Sequence, residues 1–430
     1  MEKLMQYVWQ HRLLRPGPMS TVDGRSVQIV DPGLLNEDSG PDFFNAKVRI
    51  GGDMWVGNVE IHVRASDWMR HGHHNDRAYD SVILHVVYHD DMPVKRPDGN
   101  VIPQMVLPVR VDFADHYNAL VMRAERDLPC RDYIGSLPPL HLTDWISSLG
   151  MERLMAKSAR ISGLLDRYQG DWREAVYVTL ARALGFGTNS EPFERLAMAT
   201  PYGFLARHAD SELTVEAMLL GQSGILNDIP TDNRYALALL REYEFMQKKF
   251  GLRPVTSPGW KSGRMRPQNF PHRRVALLAR MVAMLPQLMS RILDAGDVDE
   301  LRKPFDVTLN GYWATHYSFS ERGVATDGGR ETKALSYASV TGLLINVAVP
   351  LMYTWGERHH DRQLMDRGIE FLQSIKPESN RVTAMFEAAG IKCRDAFTSQ
   401  ALIELRREYC EARKCLYCRI GHRMLASKAT

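Results

Sequence analysis

A strictly alternating stretch at residues 59–63, Val-Glu-Ile-His-Val, constrains the fold more than any other feature of the sequence. Successive side chains of a β-strand point to opposite faces, so the three aliphatic residues share one face of the predicted strand. Glu60 and His62 share the other face. The strand can therefore bury its aliphatic face in a core while it presents a carboxylate and an imidazole side by side.

A second strand is predicted at residues 43–50, directly before this one. The Gly-Gly-Asp turn at residues 51–53 is typical of a hairpin and would fold the two strands against each other. Asp42 follows Gly-Pro at the start of the earlier strand. The register of a regular hairpin does not place Asp42 beside Glu60, so a twist or a bulge would have to bring the two carboxylates together.

The composition is that of an ordinary globular protein, with 44% hydrophobic and 24% charged residues. A chain of 430 residues is too long for one core, and we expect two or three domains. The net charge of +3 neither requires nor excludes a nucleic-acid partner. The first residues lack a signal-peptide pattern, and no apolar run is long enough to span a bilayer, so we expect a cytoplasmic protein without a membrane partner.

The type of periodicity changes along the chain. Strand patterns end near residue 111, whereas helical spacing and good helix formers dominate from residue 140 onwards. We therefore expect an α+β protein with a mixed α/β domain at residues 1–115 and a large helical domain at residues 116–390. A C-terminal helix with a cysteine metal site would follow at residues 391–430.

A polar run directly after the alternating strand holds four possible metal ligands, which are His71, His73, His74 and Asp76. Pairs three residues apart have the spacing of metal ligands on a helix, and Glu60 or His62 could complete a Zn²⁺ or Mn²⁺ site. The alternative is a polar surface turn. His85 lies within an apolar strand, and we expect it to be a hydrogen-bonded core histidine.

Three cysteines near the C-terminus, Cys410, Cys415 and Cys418, have the spacing C-x4-C-x2-C. Such spacing in a cytoplasmic chain indicates a metal site, with zinc or an iron–sulfur cluster as its content. The fourth ligand could be Cys393 or His422. Cys130 stands alone in the sequence, and we expect it to be a buried thiol.

Short motifs are spread over nearly the whole chain: GPDF at 40–43, VEIH at 59–62, DW at 67–68, ILHVV at 83–87, RPxNFPxxR at 266–274, SQAL at 399–402 and YCxxxxCLxC at 409–418. Together they resemble the bacterial family known as domain of unknown function 2851. That family has no established activity, so the resemblance implies none. Function has to be inferred from the residues themselves.

The N-terminal motifs are also similar to the PD-(D/E)XK nuclease signature, since Pro41-Asp42 is followed by Glu60-Ile61-His62. The similarity implies a nuclease-like fold in which Asp42 and Glu60 hold Mg²⁺ or Mn²⁺ for attack on a phosphodiester. His62 stands where those nucleases have lysine. A neutral imidazole can orient or deprotonate a water but lacks the lysine's fixed charge.

Three functions follow from these features. The first is a metal-dependent nuclease that acts on DNA or RNA, with Asp42, Glu60 and His62 as its catalytic residues. The second is a non-catalytic nucleic-acid-binding or scaffold protein on the same fold, which the absence of the lysine favours. The third is a metal hydrolase that acts on a small molecule.

Overall fold

The computed structural model describes residues 1–14, 17–36, 38–96, 99–109, 117, 128–255, 259–319 and 332–426. Within these ranges the protein is α+β, as the sequence predicts, with a sheet-rich N-terminal part and a mostly helical remainder. The chain divides into two compact units. The sheet unit contains residues 1–142, 388–391 and 406–430, and the helical unit contains residues 143–387 and 392–405.

These units differ in outline from the three predicted domains. The C-terminal segment at residues 406–430 belongs to the sheet unit, whereas the sequence predicted a separate part at residues 391–430. Contacts between residues far apart in sequence bring it there, and local periodicity does not report such contacts. The predicted boundary after residue 115 lies outside the described residues.

The strands are β1 (Met19–Ser20), β2 (Ser26–Asp31), β3 (Leu34–Leu35), β4 (Phe43–Ile50), β5 (Asp53–Arg64), β6 (Val82–His89), β7 (Gln104–Val106), β8 (Thr308–Leu309) and β9 (Thr332–Lys333). The first seven form one sheet in the order β1-β2-β4-β5-β6-β7, with β3 also paired to β4. The β5–β6 and β6–β7 pairs are parallel and the others are antiparallel. The sheet is therefore mixed.

The helices are α1 (Glu2–Gln10), α2 (Asp67–Arg70), α3 (Arg131–Ile134), α4 (Pro139–Arg167), α5 (Trp172–Leu184), α6 (Ser190–Ala199), α7 (Tyr202–Ala206), α8 (Glu212–Gln222), α9 (Arg234–Phe250), α10 (Pro271–Val282), α11 (Leu285–Asp294), α12 (Val298–Arg302), α13 (Tyr312–Thr315), α14 (Tyr337–Leu343), α15 (Val349–His359), α16 (Arg362–Ser374), α17 (Arg381–Glu387), α18 (Ala396–Glu404) and α19 (Arg419–Ala426). In the described part of residues 140–400, the only sheet is the short pair β8–β9. The predominantly helical character predicted there is confirmed.

The hairpin β4–β5 forms as predicted, and it contains a bulge. Ala46 pairs with Gly57 whereas Phe43 pairs with Val59, so two residues of β4 face one residue of β5. Asn45, one of those two, has a φ of 55°, which asparagine tolerates better than most residues. The extra residue turns Asp42 onto the face of the sheet that carries Glu60.

The core of the sheet unit lies on the aliphatic face of β5. Val59 and Ile61 are fully buried there together with Leu4 and Val8 of α1. Leu425 from the C-terminal segment completes this cluster. The burial of apolar side chains from both chain ends explains why residues 406–430 belong to the sheet unit.

Among the described residues, one helical stretch, Tyr337–His359, is long and apolar enough to cross a membrane, although no such run was expected from the sequence. The bent pair Pro271–Val282 and Leu285–Asp294 passes the same test if it is counted as one span. About three quarters of the apolar window in Tyr337–His359 (72%) is buried inside the protein. Central helices of globular domains have the same length, composition and burial.

Candidate metal centre

Asp42 and Glu60 lie next to each other because of the bulge in β4. The backbone N–H of Asp42 donates to Oε2 of Glu60 at 3.1 Å, and the N–H of Ile61 donates to Oδ2 of Asp42 at 2.9 Å. Gln6 of α1 donates to Oδ1 of Asp42 at 2.9 Å. The two carboxylates predicted from the sequence are therefore brought together, and Asp42 is held by bonds to both of its oxygens.

Glu60 is only 4% exposed, and Asp42 is partly buried. Burial raises the pKa of Asp42 and of Glu60, and the negative charge of Glu60 raises that of Asp42 further. Glu2 of α1 adds to the rise at both groups. The pair consequently favours a bound proton or a bound cation, either of which removes part of the concentrated negative charge.

The crossover between β5 and β6 brings two histidines of the polar run to this pair. Nε2 of His73 lies 3.2 Å from Oε1 of Glu60, and Nε2 of His62 lies 3.4 Å from the same oxygen. Nδ1 of His71 lies 3.2 Å from Nε2 of His62. One nitrogen from each of the three histidines falls within 4.8 Å of the others, which is the spacing of ligands around one metal ion.

Local bonds fix the crossover that carries these histidines. Both the backbone N–H and the hydroxyl of Ser66 donate to the carboxylate of Asp91, at 2.8 and 2.7 Å. Asp67 accepts from the N–H of Arg64 at 3.1 Å. The ring of His73 stacks on Tyr79 with centroids 3.8 Å apart. The imidazoles are thus positioned by the fold and do not depend on a ligand for their placement.

A buried hydrogen-bond chain runs behind His62. Nδ1 of His62 lies 2.9 Å from Nε2 of His85, and Nδ1 of His85 lies 2.9 Å from Oε1 of Gln104. The amide nitrogen of Gln104 donates to Asp90 and to the carbonyl of Met92, so its oxygen is the acceptor for His85. His85 then accepts from Nδ1–H of His62, which leaves the lone pair of Nε2 of His62 directed toward Glu60.

The imidazoles of His62 and His85 are held neutral. Burial lowers the pKa of His62 to about 2, and the neighbouring His85, His73 and His71 lower it further. Burial also lowers the pKa of His85 to about 4. A neutral imidazole with a free lone pair is the form that binds metal. A lone pair on His62 that faces a carboxylate oxygen at 3.4 Å is stable only with a cation or a proton between them.

A family described as a protein of unknown function, DUF2851, matches residues 2–381 of the chain. The chain belongs to this family. No curated protein and no solved structure matches it. All the residues of the histidine and carboxylate cluster lie within the part that matches DUF2851, whereas the cysteines at residues 410–418 lie beyond it.

The other two predicted ligands in the polar run of this DUF2851 member lie outside the cluster. The side chain of Asp76 accepts from the N–H of Ala78 and caps a short 3-10 turn, Arg77–Tyr79. Nε2 of His74 lies 2.8 Å from the amide nitrogen of Asn75. The predicted helical spacing of ligands does not occur, because Gly72 with a φ of 78° separates His71 from His73 and no regular helix runs through them.

The predicted C-terminal ligands are divided between the two units. Cys410, Cys415 and Cys418 belong to the sheet unit, whereas Cys393 belongs to the helical unit. The electrostatic neighbours that raise the pKa of Cys393 are acidic residues of its own unit, Glu387, Asp395 and Glu378, after the larger effect of burial. Nδ1 of His422 is paired with the hydroxyl of Tyr7.

Sequence reasoning did not identify the supporting residues of the site. His85 was expected to be a hydrogen-bonded core histidine, and it is fully buried and bonded, but its bond to His62 makes it part of the site. Gln104 was not singled out at all. A polar residue within the apolar strand β6 and another at the start of β7 were the available indication, because a buried polar group needs a partner.

Proposed function

We propose that the protein is a metal-dependent hydrolase of phosphodiester bonds, with His62, His71, His73 and Glu60 as the ligands of one metal ion. The observation that carries the proposal is that one nitrogen from each of the three histidines lies within 4.8 Å of the others, while Oε1 of Glu60 lies 3.4 Å from Nε2 of His62 and 3.2 Å from Nε2 of His73. Metal–ligand bonds of about 2.1 Å in tetrahedral geometry place neighbouring ligand atoms about 3.4 Å apart. The separations of His62 from Glu60, of His73 from Glu60 and of His62 from His71 agree with that value.

The donor set also favours one class of metal. Mg²⁺ prefers an octahedron of oxygens and retains water, imidazole suits zinc, copper, iron and nickel, and carboxylates also suit manganese. With three imidazoles in the set, Mn²⁺ or Zn²⁺ fits this centre better than the Mg²⁺ that the nuclease similarity implies. His62 then acts as a neutral ligand, and its low pKa is incompatible with a role as a charged substitute for lysine.

Phosphodiesters are the proposed substrates because the order of the helix and strands that carry the site resembles that of PD-(D/E)XK nucleases. A helix, an antiparallel hairpin, a crossover and a parallel strand follow one another, with Asp42 and Glu60 side by side on the hairpin. That order supports the nuclease-like fold and makes DNA or RNA in the cytoplasm the proposed substrate. His71 is exposed, so the centre is open to solvent on its side.

The residues divide the chemical work as follows. When bound, the metal would supply the charge that activates a water and stabilises the oxygens around phosphorus. Glu60 would hold the metal through Oε1, the oxygen that faces Nε2 of His62 and of His73. Asp42 orients Glu60 through its backbone N–H, and its own oxygens are taken up by Ile61 and Gln6.

A non-catalytic protein on the same fold is the second candidate. The observation in its favour is that both oxygens of Asp42 accept internal hydrogen bonds, so this carboxylate is not free to bind a second metal ion. Such a protein would bind nucleic acid and metal without turnover.

We also propose that the C-terminal cysteines hold a separate structural metal centre, either zinc or an iron–sulfur cluster. The spacing of Cys410, Cys415 and Cys418 supports it, together with their common location in the sheet unit. Structural metal sites supply folding energy to the segments that they join.

The test of the function is cleavage of labelled single-stranded, duplex and branched DNA and RNA, and of a small phosphodiester, with Mn²⁺, Zn²⁺ or Mg²⁺ added to chelator-treated protein. We expect turnover with Mn²⁺ or Zn²⁺, and a loss on the order of a hundredfold or more in Glu60→Gln and in His73→Ala. His74→Ala is the matched control and should retain activity, because His74 lies outside the cluster.

Turnover that survives in Glu60→Gln and in His73→Ala would contradict the assignment. Binding of nucleic acid without cleavage of any substrate would favour the non-catalytic candidate. Cleavage of the small phosphodiester alone would favour a hydrolase of small molecules.

A further inference from the structure

Positive charge is concentrated in one stretch of the helical unit. Residues 245–293 contain three lysines and seven arginines but no aspartate or glutamate. This stretch therefore carries a net charge of +10, whereas the whole chain carries only +3. Basic residues that cluster in this way are typical of surfaces that bind polyanions.

A loop at residues 259–266 carries three of these cations on a fixed backbone. Asn189, which is 1% exposed, holds Lys261 by two bonds of 2.9 Å. Its amide nitrogen donates to the carbonyl of Lys261, and its amide oxygen accepts from the N–H of Lys261. Nε1 of Trp260 donates to the carbonyl of Ser223 at 2.9 Å. The loop is thus held through its backbone and its tryptophan, and its charged side chains are not needed for that purpose.

The charged side chains of the loop face solvent. Lys261, Arg264 and Arg266 are all exposed. Among the residues that the structure describes, no carboxylate lies within 4.0 Å of any of the three. Arg280 of the same stretch, by contrast, forms an ion pair with Glu212 at 2.6 Å. The three loop cations are therefore available to an external anion.

The loop leads into the start of α10, and the motif RPxNFPxxR at residues 266–274 spans this junction. The helix begins at Pro271, and no side chain caps its first turn. The first N–H groups of a helix lack partners within it, and the helix dipole adds partial positive charge there. Phosphate groups bind at such positions.

Two buried guanidinium groups add to this positive charge. Arg273 and Arg274 are 4% and 2% exposed. Nη2 of Arg274 donates to Oδ1 of Asn269 at 2.5 Å, and its Cζ lies 4.6 Å from the centroid of the Phe186 ring. Within the described part of the chain, Nε and Nη1 of Arg274 have no hydrogen-bond partner. A buried charge of this kind is screened less than an exposed one, so it raises the potential where the helix begins.

The loop and the helix start border one cavity of about 680 Å³. Trp260 and Ser262 line it from the loop, and Pro271 and His272 line it from the helix. Asp228 also belongs to the lining, so we expect the anion on the side of the loop cations. Because the cavity joins the two elements, the exposed cations and the partial charge of the helix act on the same place.

We propose that the loop at residues 259–266 and the first turn of α10 bind the phosphate backbone of a nucleic-acid strand. Exposed cations along a fixed loop, next to an uncapped helix start, complement an anion that repeats along a chain. The surface lies in the helical unit. The inference shares its class of ligand with the proposed function, but it does not depend on the histidine centre.

The experiment measures binding of labelled single-stranded DNA and RNA by fluorescence anisotropy at several salt concentrations. Full-length protein with Glu60→Gln is the parent, because that change impairs the proposed hydrolysis. The loop variant is Lys261→Ala/Arg264→Ala/Arg266→Ala. The control removes the same charge from three exposed arginines of the helical unit that stand near carboxylates in the sequence: Arg207→Ala/Arg241→Ala/Arg362→Ala.

We expect the loop variant to bind at least about tenfold more weakly than the parent at about 0.1 M salt. The slope of log Kd against log salt concentration should fall by about 2, since each phosphate contact with a single strand contributes about 0.7. The control should bind within about twofold of the parent. Thermal unfolding checks that both variants are folded, as expected for changes at six exposed side chains.

Equal affinities of the loop variant and the parent would overturn the proposal, and so would a parent that binds neither DNA nor RNA. A parent that binds anionic phospholipid vesicles but no oligonucleotide would also overturn it and would indicate a membrane surface. None of these results bears on the histidine centre, whose test is turnover.

Discussion

At the scale of single residues, the chain from His62 through His85 to Gln104 decides what the site can bind. Gln104 is 7% exposed, and its amide nitrogen is already engaged by Asp90 and Met92. Its oxygen therefore has to accept from His85, and this single constraint fixes the tautomers of both histidines. A group that hydrogen-bonds to one ring nitrogen of a metal-binding histidine orients the ring and leaves the other nitrogen to face the metal.

Replacement of Gln104 by alanine should weaken metal binding by about ten- to a hundredfold, because Nε2 of His62 would no longer be held as the free lone pair. The measurement is titration of chelator-treated protein with Mn²⁺ or Zn²⁺, with thermal unfolding recorded in parallel. Gln28→Ala is the matched control, since Gln28 is an exposed residue of β2 in the same sheet. Equal affinities in the two variants would show that this chain does not support the metal centre.

At the scale of elements, the parallel pair β5–β6 brings the histidines of the crossover to the carboxylates of the hairpin. The pair is close at Gly57, where a Cβ atom would lie 2.4 Å from Cγ2 of Ile83 and 2.8 Å from the carbonyl oxygen of Ser81. Asn58, the next residue, pairs with Val82 at the point where the crossover enters β6. The close spacing of β5 and β6 therefore depends on the absence of a Cβ atom at Gly57.

We expect Gly57→Ala to destabilise the protein by about 1–3 kcal/mol, the usual cost of forcing extra atoms into a packed contact. It should also weaken metal binding, because separation of β5 from β6 moves Glu60 and His62 away from the crossover. Gly135→Ala is the control, as a Cβ atom there meets nothing within 4 Å. Thermal unfolding and metal titration of both variants test this, and wild-type stability in Gly57→Ala would contradict it.

At the scale of the whole molecule, the chain forms one sheet unit from both of its ends and one helical unit from its middle. The histidine and carboxylate cluster lies entirely in the sheet unit, and so do Cys130 and the three C-terminal cysteines. The proposed catalytic and structural metal centres therefore belong to the same folded body. Loss of the cysteine centre should destabilise the sheet unit without removing a ligand of the histidine centre.

Much of the fold, and two of the candidate metal ligands, could be predicted from local sequence patterns. The alternation at residues 59–63 and the turn after residue 50 correctly predicted the hairpin, and helical periodicity correctly predicted the character of the middle of the chain. The polar run gave His71 and His73 as candidate ligands. These features depend on neighbours in sequence, which is what periodicity and turn chemistry report.

The rest depends on contacts that no local pattern encodes. The bulge at Asn45 turns Asp42 toward Glu60, and alternation alone would have placed Asp42 on the opposite face. Gln104 supports the site only because β7 pairs with β6. Register, pairing and packing between distant segments supply these parts of the site.

Location of the metal by anomalous X-ray scattering is the most direct test of the account. Crystals of the full-length protein, equilibrated with Mn²⁺ or Zn²⁺, would be measured at the absorption edge of the metal. We predict a peak about 2.0–2.2 Å from Nε2 of His62, Nδ1 of His71, Nε2 of His73 and a carboxylate oxygen of Glu60. Saturating metal with no peak among these four residues would contradict the central claim.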